Sequence, residues 1–322
     1  MLKHTFLVVT LAAFCAMANA QNYPAKPIRL LIPYAPGGGT DLVVRPVTQK
    51  LGEALKTQIL LDNRGSAFGI IAVEAAARSA PDGYTLLVGG TSTLTLNPVL
   101  YLNVPFDPVK DFSPITILAL APNVLAASRR FSPNTTQEVI AYAKANPGKV
   151  NYGSAGTATA RLYLEQIKQL TGADMLLVPY KGTGPAFTAL LAGEVDLTFA
   201  AAGVVTAAIK DGRVKAIGVG SQQRIPALPD VPSMTESGLL PGFESASWYG
   251  IVAPSGTPKP VISMLHGEIV KILKAPEVEN RYAADGAFPV GNSPESFAER
   301  IRTELDRWAR IAKTAGIKPA TF

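Results

Sequence analysis

The sequence of 322 residues is rich in apolar side chains (48%) and poor in charged ones (17%). This composition supports a sizeable core, and the length favours about two domains. The net charge of +6 is spread without a run of Lys or Arg, which argues against a nucleic-acid surface. One cysteine, Cys15, excludes a disulfide framework, and two histidines, His4 and His266, leave little for a metal site. We therefore expect no metal and no cofactor.

The first twenty residues have the pattern of an export signal. Lys3 precedes an apolar run over residues 6–17, and Ala18-Asn19-Ala20 supplies small residues for a signal peptidase. The run is shorter than the ~20 residues that a spanning helix needs. The bulky Phe14 before Cys15 fits a lipoprotein signal poorly. We expect cleavage after Ala20 and a periplasmic protein.

Strands and helices alternate along the rest of the chain. In chain order, strands are predicted at residues 28–34, 58–62, 84–88, 115–128, 150–152, 176–179, 195–200, 214–219 and 247–253, and helices at 41–55, 70–80, 136–145, 158–171, 185–192, 204–210, 259–273 and 294–315. Such alternation is typical of an α/β fold with mostly parallel sheets between helices. The order predicts two lobes, residues 23–120 with 247–322 and residues 121–246, joined by two hinge crossings. Ligands often bind in the cleft between two such lobes.

A glycine-rich loop, Tyr34-Ala35-Pro36-Gly37-Gly38-Gly39-Thr40-Asp41, follows the first strand. It leads into a helix from the carboxyl end of a strand, where open α/β sheets bind ligands. The glycines allow close backbone approach, and the helix start offers N–H groups to an anion. A flexible turn capped by Thr40 or Asp41 is the alternative. The absence of Gly-Lys-Ser/Thr and of a third glycine at position 42 excludes a Walker A loop and a dinucleotide fingerprint.

Two further loops lie at strand ends. Gly90-Thr91-Ser92-Thr93 could present hydroxyls to a ligand or cap a helix. Tyr152-Gly153-Ser154-Ala155-Gly156-Thr157 leads into a helix of the second lobe, so that helix starts on opposite lobes could each hold one carboxylate of a small acid. Arg161, one turn into that helix, suits a carboxylate, and Tyr180 follows the next strand. Phe68, in the loop after the second strand, could touch the ligand, but filling a gap is favoured.

Short motifs spread over nearly all of the mature chain resemble, in their sequence and order, those of a known protein family. They are PGGGTD at 36–41 with Arg45, PDGYTL at 81–86, NP at 97–98 with LY at 100–101, KDF at 110–112, ANPGK at 145–149, GSAG at 153–156, VPYKG at 178–182, LPDVP at 228–232, PGFE at 241–244 with Trp248, and AGI at 315–317. In this order they resemble the Bug receptors, the TctC-type periplasmic binding proteins of tripartite tricarboxylate transporters. The resemblance implies a two-lobed receptor that closes on a small organic acid, and membrane subunits of a tripartite carrier as partners. We expect a monomer without a nucleic-acid partner.

Three positions depart from the pattern of that family. Arg161 stands where members often have His, and Ala200 where they often have an acidic residue; we expect both at the ligand. Pro46 is expected to interrupt the first helix.

Two other functions remain in view. A secreted serine hydrolase would use Ser154 or Ser92 with His266 as its base, but GSAG is not Gly-x-Ser-x-Gly, and His266 is expected to be structural. A ligand-binding sensor component of a signalling system would use the same site as a receptor. A receptor without enzymatic activity is the leading prediction.

Overall fold

The computed structural model describes residues 23–34, 36, 39–65, 67–154, 157–180, 183–284 and 286–322. The predicted signal segment, residues 1–20, and its cleavage site lie outside the described residues. The strands are β1 (Ile28–Ile32), β2 (Ile59–Asn63), β3 (Thr85–Gly90), β4 (Phe112–Ser128), β5 (Asn151–Ser154), β6 (Leu176–Pro179), β7 (Leu197–Ala201), β8 (Val214–Val219), β9 (Ala246–Pro254) and β10 (Phe288–Pro289). The helices are α1 (Gly39–Leu55), α2 (Ile70–Ala77), α3 (Asn97–Leu100), α4 (Thr136–Ala145), α5 (Thr157–Thr171), α6 (Thr183–Ala192), α7 (Ala202–Lys210), α8 (Lys259–Leu273), α9 (Pro276–Ala284) and α10 (Pro294–Thr314), with a π-helical turn at Thr91–Leu96 and 3-10 turns at Ala67–Gly69 and Met234–Ser237.

The strands follow one path, in the order β2-β1-β3-β9-β4-β7-β5-β6, and β8 and β10 also pair with β4. The pairs β1–β2, β1–β3, β5–β6 and β5–β7 are parallel, whereas β9 runs antiparallel to both β3 and β4. The antiparallel strands are those that carry the chain out of one half and back. The predicted α/β class is confirmed.

The long strand β4 belongs to both halves of this sheet. Its residues 112–122 pair with β9, and its residues 123–128 pair with β7 and β8. At the change of partner, the Asn123 N–H donates to the carbonyl of Ser245, just before β9 begins at Ala246. The chain therefore changes halves near residues 122 and 246. The lobe boundaries stay a prediction.

The last helix, α10, packs against both halves. Phe297 and Ile301, near its start, lie in a core cluster with Trp248 of β9. Trp308, near its end, lies in a cluster with Tyr163 of α5, and the two rings make an edge contact at 5.6 Å between centroids. A single helix thus contributes side chains to the core of each lobe.

One prediction about a helix is wrong, and two helices, α3 and α9, were not predicted. Helix α1 runs through Pro46, which was expected to interrupt it; the buried face that includes Val44 and Val47 holds the helix against the first core and outweighs the missing N–H of the proline. Helix α9, between the two terminal helices that the sequence predicts, was missed because its apolar signal is little more than Val278 and Tyr282. No helix in the described part of the chain is both long and apolar enough to cross a membrane.

Candidate ligand-binding site

The parallel strands of both halves end toward the same place. Gly90, the last residue of β3, pairs with Tyr249, close to the start of β9. Ala201, the last residue of β7, pairs with Asn123, where β4 enters the second half. The carboxyl ends of the two sets of parallel strands therefore face each other across the crossings. Ligands of α/β proteins bind at such edges and between such lobes.

Hydroxyl groups line the edge of the first half. The phenol of Tyr34 lies close to the hydroxyls of Ser92 and Thr93, and the phenol of Tyr249 lies close to those of Thr40 and Ser247. Burial raises the pKa of Tyr34 and of Tyr249 above the usual range of a phenol. Both phenols stay neutral at physiological pH, so this edge offers neutral hydrogen-bonding groups rather than charges. We call these six residues the hydroxyl cluster.

A buried carboxylate fixes the loop beside the hydroxyl cluster. Asp41, in the first turn of α1, forms an ion pair with Arg45 at 3.0 Å. The Asn63 side chain donates to Asp41 Oδ1 at 3.3 Å and to the Tyr34 carbonyl at 3.1 Å. The Asp41 side chain is only 5% exposed, whereas that of Arg45 is 56% exposed. Because Arg45 offsets its charge, Asp41 can anchor α1 to the end of β2 beside a site for an anion.

Some hydroxyls of the loop after β3 hold the structure together, and one is free for a ligand to reach. Thr93 Oγ1 accepts from the Gly90 N–H at 3.0 Å, so the predicted capping role is observed for Thr93. Thr91 Oγ1 accepts from the Trp248 N–H at 3.0 Å and is buried against β9. Ser92 alone of the three is exposed. It is therefore the hydroxyl of this loop that solvent or a ligand reaches.

The edge of the second half is built around Ser154. Ser154 ends β5 and hydrogen-bonds with the buried phenol of Tyr152. Its carbonyl accepts from the Tyr180 N–H at 2.8 Å, which ties the end of β6 to that of β5. Thr157 begins α5, and Gly39 begins α1 in the first half. The two predicted helix starts thus belong to opposite halves.

Some predicted site residues lie elsewhere or outside the described part. Gly37, Gly38, Ala155 and Gly156 are outside the described residues, as are Lys181 and Gly182. Arg161 is exposed on α5. Ala200 is only 4% exposed and packs with Val124 and Val205 in an apolar cluster, so little of its surface is offered to a ligand. The predicted ligand contacts of Arg161 and Ala200 stay predictions.

His266 has a structural partner. Its Nε2 hydrogen-bonds with the carbonyl of Asn292 at 3.1 Å, and the Asn292 side chain accepts from the Ile117 N–H at 2.9 Å. The imidazole therefore ties α8 to the strand β4 and the loop before α10. The candidate nucleophiles Ser92 and Ser154 lie at strand ends instead. Within the described ranges, no group of three or more His, Cys, Asp or Glu side chains could hold a metal ion.

A buried carboxylate behind the cleft was missed by sequence reasoning. Glu304 of α10 accepts from the Trp248 indole at 3.0 Å and from the Thr95 hydroxyl at 3.0 Å, and forms an ion pair with Arg300 at 2.8 Å. Arg300 also pairs with Glu244, at 2.6 Å, just before the crossing into β9. These contacts join the last helix to the hinge. No local pattern signals them, since Glu304 lies 56 residues from Trp248.

Comparison with known proteins gives matches over most of the chain. A family model described as "Tripartite tricarboxylate transporter family receptor" matches residues 43–317. Protein BugT of Bordetella pertussis is 33% identical over 314 residues, 97% of this chain and 96% of BugT. The solved structure of R. palustris Rpa4515 with adipate is 31% identical, with a TM-score of 0.77, over 92% of this chain and 100% of that one. MatC from Rhodopseudomonas palustris with bound malate is 32% identical, with a TM-score of 0.71, over 90% of this chain and 99% of MatC.

Proposed function

Because this chain belongs to the family of tripartite tricarboxylate transporter receptors, we propose that it binds a small organic acid between its two lobes and performs no chemistry on it. The family predicted from the motifs is thereby confirmed, and its receptors are periplasmic solute-binding proteins. The observation that carries the proposal is the pair of opposed carboxyl edges, with the hydroxyl cluster on one side and Ser154 on the other.

The polar groups of this site suit an ionised carboxylate. The two helices α1 and α5 start at opposite edges, and the N–H groups of a helix start favour negative charge. Ser92 and Ser154 add hydroxyls that donate to carboxylate oxygens. The malate and adipate bound by the two structural relatives are both dicarboxylates. A dicarboxylate that spans the cleft would join the lobes and favour the closed form.

The wider role follows from the same proposal. The precursor is cleaved after Ala20, and the mature protein acts as a monomer in the periplasm. It delivers its acid to the membrane subunits of a tripartite carrier. The first lobe comprises residues 23–120 with 247–322, and the second comprises residues 121–246.

Ligand-induced stabilisation tests the proposal directly. The mature chain, residues 21–322, is melted in the presence of malate, adipate, succinate and the diamide of each acid. An acid at about 100 times its dissociation constant adds about 2.7 kcal/mol of apparent stability, and the diamides add none. Calorimetric titration then gives the dissociation constants. Equal stabilisation by acid and diamide, or no response to any acid in a wider carboxylate panel, contradicts the proposal.

A further inference from the structure

An exposed aromatic side chain lies at the edge of the first half. Phe68 follows β2 in the short turn Ala67–Gly69, and β2 ends at the same carboxyl edge as β1 and β3 because the three strands are parallel. A Cβ placed on the neighbouring Gly69 would lie 2.8 Å from Pro33 Cβ and 3.1 Å from Thr93 Cγ2. The turn is therefore pressed against the residues that flank Tyr34 and the hydroxyl cluster. Phe68 therefore lies in a turn beside the hydroxyl cluster.

The backbone of Phe68 is in a conformation that favours glycine. Its φ is 56° and its ψ is 22°, in the left-handed region that residues with a Cβ rarely adopt. The Asn97 side chain donates to the Phe68 carbonyl at 2.9 Å, and Asn97 is itself buried. The surrounding structure thus holds a bulky residue in a strained position beside the hydroxyl cluster. Strain of this kind clusters at ligand-binding sites.

The Phe68 ring is held in place without being buried. It stacks on Tyr101, with 4.9 Å between ring centroids and 23° between ring planes, yet 62% of its surface is exposed. The favoured interpretation from the sequence, that Phe68 fills a gap, is therefore wrong. Core packing does not account for the strained backbone, since most of the ring faces solvent.

We propose that Phe68 and Tyr101 form an aromatic wall that binds the apolar body of the ligand, so that the receptor prefers carboxylates carrying an aryl or long alkyl group. This inference rests on the proposed function and specifies its substrate class. The carboxylate is held at the strand ends, and the apolar body extends along the wall toward the mouth of the cleft. Contact with a flat apolar group covers the ring surface that the stack with Tyr101 leaves exposed.

Replacement of Phe68 by glycine removes the aromatic ring without disturbing the turn, so it tests the role of the ring in binding separately from its effect on the fold. Glycine adopts a φ of 56° without strain, so F68G keeps the turn and its melting temperature does not fall. The matched control is L60A, which removes another exposed apolar side chain, 49% exposed, from near the amino end of β2, away from the carboxyl edge. Calorimetry compares both variants with the unchanged protein on 3-phenylpropionate, octanoate, malate and succinate.

The expected result is selective. F68G binds 3-phenylpropionate and octanoate about tenfold more weakly than the unchanged protein, whereas its dissociation constants for malate and succinate change less than twofold. L60A behaves as the unchanged protein does with all four acids.

Every other outcome refutes either the aromatic wall or the proposed function. If the unchanged protein binds malate or succinate but F68G alters all acids alike or none, the aromatic wall is refuted while the carboxylate receptor stands. If it binds the small acids and neither of the apolar ones, the wall is refuted in the same way. If the unchanged protein binds no acid at all, the proposed function itself fails and the wall with it.

Discussion

The two edges of the cleft differ in how their polar side chains are held. At the first edge, Asp41 is buried and paired with Arg45, and Tyr34 and Tyr249 are partly buried beside neighbouring hydroxyls. At the second edge, Arg161 is exposed and forms no ion pair with any residue that the structure describes, and Ser154 is partly exposed. If the protein closes on its ligand as proposed, we expect the first lobe to be organised before the ligand arrives and the second to adapt on closure.

The difference predicts that loss of the Asp41 anchor has the largest effect. D41A leaves the Asn63 amide and the Arg45 guanidinium without their acceptor, so the loop beside the hydroxyl cluster is no longer fixed. We expect affinity for the bound acid to fall by at least about 30-fold and stability to fall by about 1–3 kcal/mol. Calorimetry and thermal melting measure the two effects.

A surface pair is the control for that experiment. Asp174 and Lys168 form an exposed pair at 3.1 Å, and D174A should change neither affinity nor melting temperature appreciably, because exposed ion pairs contribute little. If D41A binds as tightly as D174A, the first edge is not held by its carboxylate.

The hinge carboxylate should have a smaller effect that is shared by all ligands. E304Q removes the charge that pairs with Arg300 and replaces one acceptor of the Trp248 and Thr95 bonds with a donor. We expect every dissociation constant to change by about the same factor, roughly three- to tenfold, because closure rather than contact is altered. Small-angle scattering with and without ligand should show a changed balance of open and closed forms. A change that differs from one acid to another would place Glu304 in the ligand site instead.

Loss of a single hydroxyl at either edge should have an effect similar in size to that of E304Q, and the two losses should be unequal. Ser154 and Ser92 each supply one neutral hydrogen bond, worth about 0.5–1.5 kcal/mol net, so S154A and S92A should weaken binding about three- to tenfold. The loss should be larger for S92A, because its partner Tyr34 is fixed before closure. S132A, at an exposed site before α4, is the matched control. A complete loss of function in S154A alone would revive the hydrolase interpretation.

The last prediction is that affinity for the acid does not change between about pH 7 and 9. Burial raises the pKa of Tyr34 and of Tyr249, so both phenols remain neutral, and the carboxyl groups of the ligand are already ionised. The stability that the neutral phenols contribute is fully present below their unfolded pKa, near 10, and is lost only as the pH rises above it. Calorimetry across this range should give a constant affinity. A decline centred below pH 9 that Y34F abolishes would contradict the assignment.

Much of the fold could be predicted because strand and helix signals are local. The bounds of α4, α8, β6 and β8 agree with the prediction, since each has a clear apolar period and a Gly, Pro or Asn at its boundary. Helix α9 has no such period. Pro46 misled the prediction because local propensity ignores the core that holds α1 in place.

The position of the candidate site could be predicted from the sequence, but the contacts that its residues make could not. The ends of β1, β3 and β5 mark the three loops, because parallel strands place their carboxyl ends together. The partners of Tyr249 and Asn63 were not predicted, since they depend on register: Tyr249 faces Gly90 only because β9 pairs antiparallel with β3. Nor does any pattern around Phe68 reveal its stacking on Tyr101, which comes from a segment 33 residues away.

The helix α10 has a consequence for how the protein folds. It supplies Phe297 to one core and Trp308 to the other, and β4 gives backbone hydrogen bonds to both. Neither half can complete its core until α10 has been synthesised. We therefore expect the two lobes, although separate bodies for binding, to unfold as one cooperative unit.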